Sequence, residues 1–168
     1  MNQELVQRMI EVSEQHGEFV LSSGATSTVY FDKFLFLTRP DLLRDVAKEV
    51  AALIPEGVDH LASPEGAAML LVAAVSLEAG LPTAIVRKQA KEYGTKAQVE
   101  GYAPRGARVA LLEDVVTTGG QVLRAAKILE GQGVTVEIII LALDRGGADA
   151  LREAGYRVAT VAALRPAG

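Results

Sequence analysis

The sequence contains no cysteine and only two histidines among its 168 residues. Without cysteine the chain cannot form a disulfide or a thiolate metal site, and a reducing compartment fits this composition. The histidines, His16 and His60, are too few for a histidine metal cluster. Neither has an acidic or second histidine partner at ligand spacing, so we assign no catalytic role to either.

Long charge blocks and long apolar runs are missing as well. The 17 basic and 21 acidic residues are interspersed and give a formal net charge of −4, so we expect no nucleic-acid or membrane partner. The longest apolar run, residues 67–77, is too short to cross a bilayer, and residues 1–20 lack the apolar core of a signal peptide. We therefore expect a cytoplasmic protein with a single domain over residues 1–168.

Apolar strands alternate with helices along most of the chain. Helical spacing predicts helices at 4–15, 41–54, 67–80, 120–133 and 147–155. Extended segments are predicted at 18–23, 28–34, 58–63, 83–88, 108–114, 134–144 and 156–164. Strands that are almost entirely apolar and separated by helices indicate an α/β fold with a doubly wound, mostly parallel sheet. The one long irregular stretch, 89–106, is of a length typical of an active-site lid.

A phosphate-binding pattern occupies residues 110–121, ALLEDVVTTGGQ. A buried strand ends at two acids, Glu113 and Asp114, where ligands bind in an open parallel sheet. The Thr/Gly loop and the following helix N-terminus provide hydroxyls and free N–H groups for a phosphate. The acids would repel that phosphate and suit hydroxyls or a divalent cation instead. The pattern therefore indicates a ligand with both a phosphate and a sugar.

This stretch resembles the phosphoribosyl pyrophosphate (PRPP) motif of the type I phosphoribosyltransferases. The resemblance implies that the two acids contact the ribose 2- and 3-hydroxyls and that residues 116–121 wrap the 5-phosphate. It implies Mg²⁺ as cofactor, bound mainly through PRPP. The PRPP-binding residues it implies are Arg87, Lys88, Lys91, Tyr93, Glu113, Asp114, Val115, Val116, Thr117, Thr118, Gly119, Gly120 and Gln121.

Segments 19–33, 87–101 and 143–147 are similar, in the same order, to those of orotate phosphoribosyltransferases. That resemblance implies transfer of the phosphoribosyl group of PRPP to orotate in pyrimidine (UMP) biosynthesis, with Lys91, Glu113 and Asp114 as catalytic residues. It also implies an N-terminal hood over 1–38, a mobile lid over 89–106 and a homodimer with shared sites. The orotate-binding residues it implies are Thr117, Arg145, Tyr30 and Phe31.

The chain departs from the family pattern in segment 19–33 and in residues 62–70, which align with the pyrophosphate loop of the family. Ser22 and Ala25 stand where the family usually has a cation, and Lys33 is a nearby candidate to replace it. Tyr93 stands where many members have histidine. Ala67 and Ala68 replace glycines, with Gly66 one residue earlier as a candidate for the turn. These departures leave two alternatives: transfer to another base (purine or uracil), and a non-catalytic sensor of PRPP or nucleotides.

Overall fold

The protein is described by a computed structural model that covers residues 3–20, 24–90 and 97–164. The helices are α1 (Gln3–Ser13), α2 (Lys33–Leu37), α3 (Pro40–Ala52), α4 (Ala68–Ala79), α5 (Gly120–Gly131) and α6 (Ala148–Glu153). The strands are β1 (Glu14–Val20), β2 (Thr26–Phe31), β3 (His60–Pro64), β4 (Thr83–Val86), β5 (Val99–Gly101), β6 (Arg108–Val116), β7 (Thr135–Asp144) and β8 (Val158–Ala163).

Six of these strands form the central sheet, in the order β5-β4-β3-β6-β7-β8. Strands β4, β3, β6, β7 and β8 run parallel, and β5 pairs antiparallel with β4 at one edge. The hydrophobic side chains of β6 and β7 are mostly buried, as expected for parallel strands covered on both faces. Strands β1 and β2 form a separate antiparallel hairpin, consistent with the predicted hood. The predicted α/β fold is confirmed.

Helices cover both faces of the sheet and create two hydrophobic cores. On one face α1, α2, α3 and α4 bury side chains such as Leu5, Phe36 and Leu71. On the other face α5 and α6 contribute side chains such as Leu129 and Leu151. Within the described residues, no helix is long and apolar enough to cross a membrane.

Three of the differences between predicted and observed elements have a clear structural cause. The first helix ends at Ser13, because residues from Glu14 onward pair with β2 and the hairpin overrides the helical spacing. The second predicted extended segment stops at Phe31, because the Asp32 side chain accepts a hydrogen bond from Phe34 N and caps α2. The 89–106 stretch is not wholly irregular, since 99–101 forms β5.

Candidate active site

The phosphate-binding pattern lies at the edge of the sheet where the parallel strands end. The last residues of β3, β4, β6 and β7 meet at this edge, which is where open α/β sheets bind ligands. A cavity of about 230 Å³ opens there. It is lined by Lys33, Glu113, Val115, Val116, Thr117, Thr118, Gly119, Gly120, Gln121 and Val122.

The loop between β6 and α5 has the geometry of an anion cradle. Thr117 and Thr118 are exposed, and Gly119 has φ 79°, a left-handed conformation that favours glycine. Helix α5 begins at Gly120, so its first N–H groups have no partner within the helix and its positive dipole end faces the cavity. The arrangement suits the phosphate of a sugar phosphate.

The loop after β7 supports the cradle from the side. Arg145 N donates to Val116 O at 2.7 Å, and Asp144 Oδ1 accepts from the backbone N–H groups of 146, 147 and 148 at 2.9–3.0 Å. A Cβ on Gly147 would lie 2.2 Å from Val116 Cγ1 and 3.0 Å from Gly119 N. Close approach of two backbones therefore explains the glycine. No sequence pattern predicted these roles of Asp144 and Gly147, apart from the family segment 143–147 that contains both residues.

The two acids at the end of β6 occupy different environments. Glu113 lines the cavity, and its Oε1 accepts from Asp114 N at 3.1 Å. Asp114 is fully buried, and its Oδ1 accepts from Val115 N and from Lys33 Nζ, the latter at 2.9 Å. The two carboxyl groups nevertheless lie close enough for the Asp114 side chain to interact with that of Glu113. In this structure Glu113 faces the cavity, while Asp114 binds the lysine that also lines it.

Burial raises the pKa of Glu113 to about 8, from an ordinary value of 4.5. The neighbouring negative charge of Asp114 raises it further, while a hydrogen bond from the backbone of Asp114 and the charge of Lys33 oppose the shift. Glu113 therefore holds a proton more readily than an exposed glutamate does, and it can donate as well as accept a hydrogen bond.

The structure places the aromatic and basic residues that were predicted to bind the base in two separate contacts. The Arg145 guanidinium carbon lies 5.2 Å from the centroid of the Phe31 ring, a cation–π geometry that joins the β7 loop to the hood. Tyr30 packs instead against Phe19 within the hairpin, with ring centroids 5.5 Å apart. Thr117 is exposed in the cradle and directly follows Val116, whose carbonyl oxygen accepts from Arg145 N. Arg145 and Phe31 are therefore brought together directly, whereas Tyr30 lies in a different contact.

Two predicted PRPP-binding cations follow β4. Arg87 and Lys88 line a second cavity of about 580 Å³, which shares Gln121 with the first. Glu65 attaches them to the loop after β3: its Oε1 accepts from Lys88 N at 2.8 Å, and its Oε2 lies 4.0 Å from an Arg87 nitrogen. The sequence did not predict this contact of Glu65. The predicted residues Lys91 and Tyr93 lie outside the described residues.

The loop after β3 accommodates its alanines without strain. Gly66 has φ 123°, and Ala67 has φ −65° at the start of α4. The turn therefore uses the glycine one residue earlier, as the sequence suggested for Gly66. Of the two positions without the usual cation, Ser22 is outside the described residues, and Ala25 follows Gly24, which has φ 83°.

Each histidine contacts one acid that lies one or two residues away, a contact that the prediction of no acidic partner at ligand spacing did not include. His16 Nε2 lies 3.1 Å from Glu14 Oε1 on the exposed hairpin. His60 Nδ1 lies 2.6 Å from Asp59 Oδ1 at the start of β3, the end of the strand opposite the cavity. Among the residues that the structure covers, no group of three or more His, Cys, Asp or Glu side chains has the arrangement of a metal site.

Comparisons with known proteins agree with this geometry. A family model described as a phosphoribosyl transferase domain matches residues 38–163. An orotate phosphoribosyltransferase of Nocardioides sp. is 43% identical over 147 residues, covering 86% of this chain and 82% of the relative. One of Methanopyrus kandleri is 42% identical over 165 residues, covering 96% and 89%.

Solved structures give the same result. The crystal structure of orotate phosphoribosyltransferase from Aeropyrum pernix has a TM-score of 0.79 and 30% sequence identity, and the match covers 98% of this chain and 94% of that one. By sequence and by fold, the chain belongs to the phosphoribosyltransferase family and, within it, to the orotate phosphoribosyltransferases.

Proposed function

We propose that this protein transfers the 5-phosphoribosyl group of PRPP to orotate, giving orotidine 5'-monophosphate and pyrophosphate in pyrimidine biosynthesis. The observation that carries the proposal is the cavity after β6, in which a helix N-terminus, a Thr/Gly loop, a carboxyl group and an ammonium group meet. This set matches the phosphate and hydroxyl groups of a phosphoribosyl ligand. We also propose a homodimer with shared sites, acting in the cytoplasm.

In the proposed reaction a pyrimidine ring nitrogen attacks the anomeric carbon, and the bond to pyrophosphate breaks. The 5-phosphate binds the N–H groups at the start of α5, and Glu113 binds a ribose hydroxyl. Arg87 and Lys88 neutralise charge on the departing pyrophosphate, with Lys91 of the lid closing over it. Mg²⁺, bound mainly through PRPP oxygens, would supply further stabilisation of that charge.

Orotate is assigned to the side of the cavity where Arg145 meets Phe31. Orotate differs from uracil by a carboxylate, and a carboxylate removed from water needs a cation or several donors. A guanidinium provides a planar pair of N–H donors for it, and the flat ring of Phe31 suits a pyrimidine.

Pyrophosphate release tests the proposal directly. The purified protein is supplied with PRPP, Mg²⁺ and, in turn, orotate, uracil, xanthine, hypoxanthine or adenine. We expect pyrophosphate release with orotate and with none of the other four bases. Release with a purine or uracil would instead indicate a phosphoribosyltransferase for another base. PRPP binding without turnover of any base would indicate a sensor.

A further inference from the structure

Lys33 is held at the edge of the cavity by the short helix that it begins. Asp32 N donates to Ser13 O at 2.8 Å, and the Asp32 side chain caps α2 by accepting from Phe34 N at 3.0 Å. At the other end of the helix, Phe36 is fully buried in the core. The backbone of Lys33 is therefore anchored on both sides, and its side chain extends towards the end of β6.

The Lys33 ammonium is the counter-charge of a fully buried carboxylate. Its Nζ lies 2.9 Å from Asp114 Oδ1, and the Asp114 side chain is 0% exposed. Asp114 Oδ2 is also buried, and no donor in the part of the chain that the structure describes forms a hydrogen bond with it. A buried carboxylate with so few partners is costly unless a cation stays beside it. The pairing with Asp114 thus keeps the ammonium at this position.

The same ammonium faces the cavity. The Lys33 side chain is 38% exposed, and Lys33 is the one basic residue among the described residues that line the 230 Å³ cavity. An ammonium has three N–H donors, and Asp114 Oδ1 accepts one of them. The remaining donors are available to an oxygen-rich ligand that lies between the cradle and Glu113.

We propose that Lys33 is a ligand-binding residue of this site, which donates to an oxygen of the bound phosphoribosyl group while it remains paired with Asp114. The inference rests on the proposed function in one respect, namely that the cavity binds a phosphorylated ribose. The cation of the cavity would then come from the N-terminal hood, because Lys33 precedes its partner Asp114 by 81 residues.

Binding measurements without any base test this inference. Ribose 5-phosphate and PRPP are titrated by calorimetry into the wild type, Lys33→Met and Lys33→Arg, with thermal unfolding recorded for each protein. We expect Lys33→Met to weaken both ligands by about 10- to 100-fold, the usual value of a hydrogen bond from a charged donor. Lys33→Arg keeps a cation and is expected to recover part of the loss. Lys48→Met, which removes an exposed lysine of α3, is the matched control and should bind as the wild type does.

Lys33→Met also leaves Asp114 without its counter-charge, so a second comparison separates ligand binding from folding. In the double variant Lys33→Met/Asp114→Asn the buried charge is gone as well. If Lys33 binds the ligand, the double variant should bind ribose 5-phosphate at least 10-fold more weakly than Asp114→Asn alone. Equal affinities of these two proteins would overturn the inference, because Lys33 would then serve only to neutralise Asp114. A wild type that binds neither ligand would overturn the proposed function itself.

Discussion

Replacing Glu113 with Gln is expected to stabilise the protein at alkaline pH and to have little effect at acidic pH. Glu113 is only 5% exposed, and burial next to Asp114 raises its pKa to about 8. Gln has nearly the same shape, and its side-chain oxygen can still accept from Asp114 N. The substitution therefore removes the ionisation of one buried group, and the Gln NH2 group can donate to the Asp114 side chain in place of the protonated carboxyl.

The sign of the stability change follows from which state, folded or unfolded, binds the Glu113 proton more tightly. The folded chain keeps the Glu113 proton up to about pH 8, whereas the unfolded chain loses it near the ordinary value of 4.5. The free energy of unfolding of the wild type therefore falls, as far as this group is concerned, while the pH rises through that window. The difference between 8 and 4.5 is worth at most about 5 kcal/mol, at 1.36 kcal/mol per pH unit. Water that enters the site lowers the cost of the buried charge. We therefore expect the free energy of unfolding of Glu113→Gln to gain about 2 to 5 kcal/mol over that of the wild type between pH 5 and pH 8.5.

Urea unfolding of both proteins across this pH range measures the difference. Glu137→Gln is a control of opposite sign, because Arg108 lies 2.9 Å away and lowers the pKa of Glu137. A lowered pKa contributes stability above the unfolded value, which is lost as the pH falls, so Glu137→Gln should cost stability near neutral pH and not in acid. A Glu113→Gln difference that stays flat from pH 5 to pH 8.5 would refute the reasoning about burial.

Three further outcomes are expected. Arg145→Ala should reduce kcat/KM for orotate by about 2 to 4 kcal/mol in transition-state terms and change PRPP binding little; intact orotate kinetics would contradict the assignment of the base. Gly147→Ala should destabilise the protein by about 1 to 3 kcal/mol in urea unfolding, because a Cβ there would lie 2.2 Å from Val116 Cγ1; an unchanged midpoint would show that the loop relaxes. Mixing Lys91→Ala with Arg145→Ala should restore activity if subunits share their sites, and no gain after confirmed subunit exchange would exclude sharing.

Local patterns in the sequence were enough to predict the sheet and the cradle. Strands β6 and β7 contain the uninterrupted apolar runs 109–112 and 138–143, which indicate buried parallel strands without any knowledge of their neighbours. The order of strand, acids, Thr/Gly loop and helix lies within residues 108–131, so its geometry follows from contiguous residues. The shift of the turn to Gly66 could be suggested for the same reason, since it depends on the backbone of a single residue.

Contacts between segments that are distant in the sequence could not be predicted from local patterns. Ser13 ends the first helix because the next residues pair with β2, and pairing of this kind depends on a partner strand and not on local spacing. Glu65 reaches the backbone of Lys88, 23 residues away, and the glycine at 147 is needed because the β7 loop approaches the β6 loop.

By itself, the sequence determined the α/β class, the order of strand, loop and helix that forms the cradle, and the family, because each depends on residues that are adjacent or regularly spaced. Only the tertiary structure decided how the acids at the end of β6 are used. It buries Asp114 against Lys33, which comes from the hood, and leaves Glu113 at the cavity with a raised pKa. The physical reason is that burial and charge pairing are properties of the three-dimensional neighbourhood, which places Lys33 in an ion pair with Asp114 while the Glu113 side chain, which interacts with that of Asp114, is buried at the cavity.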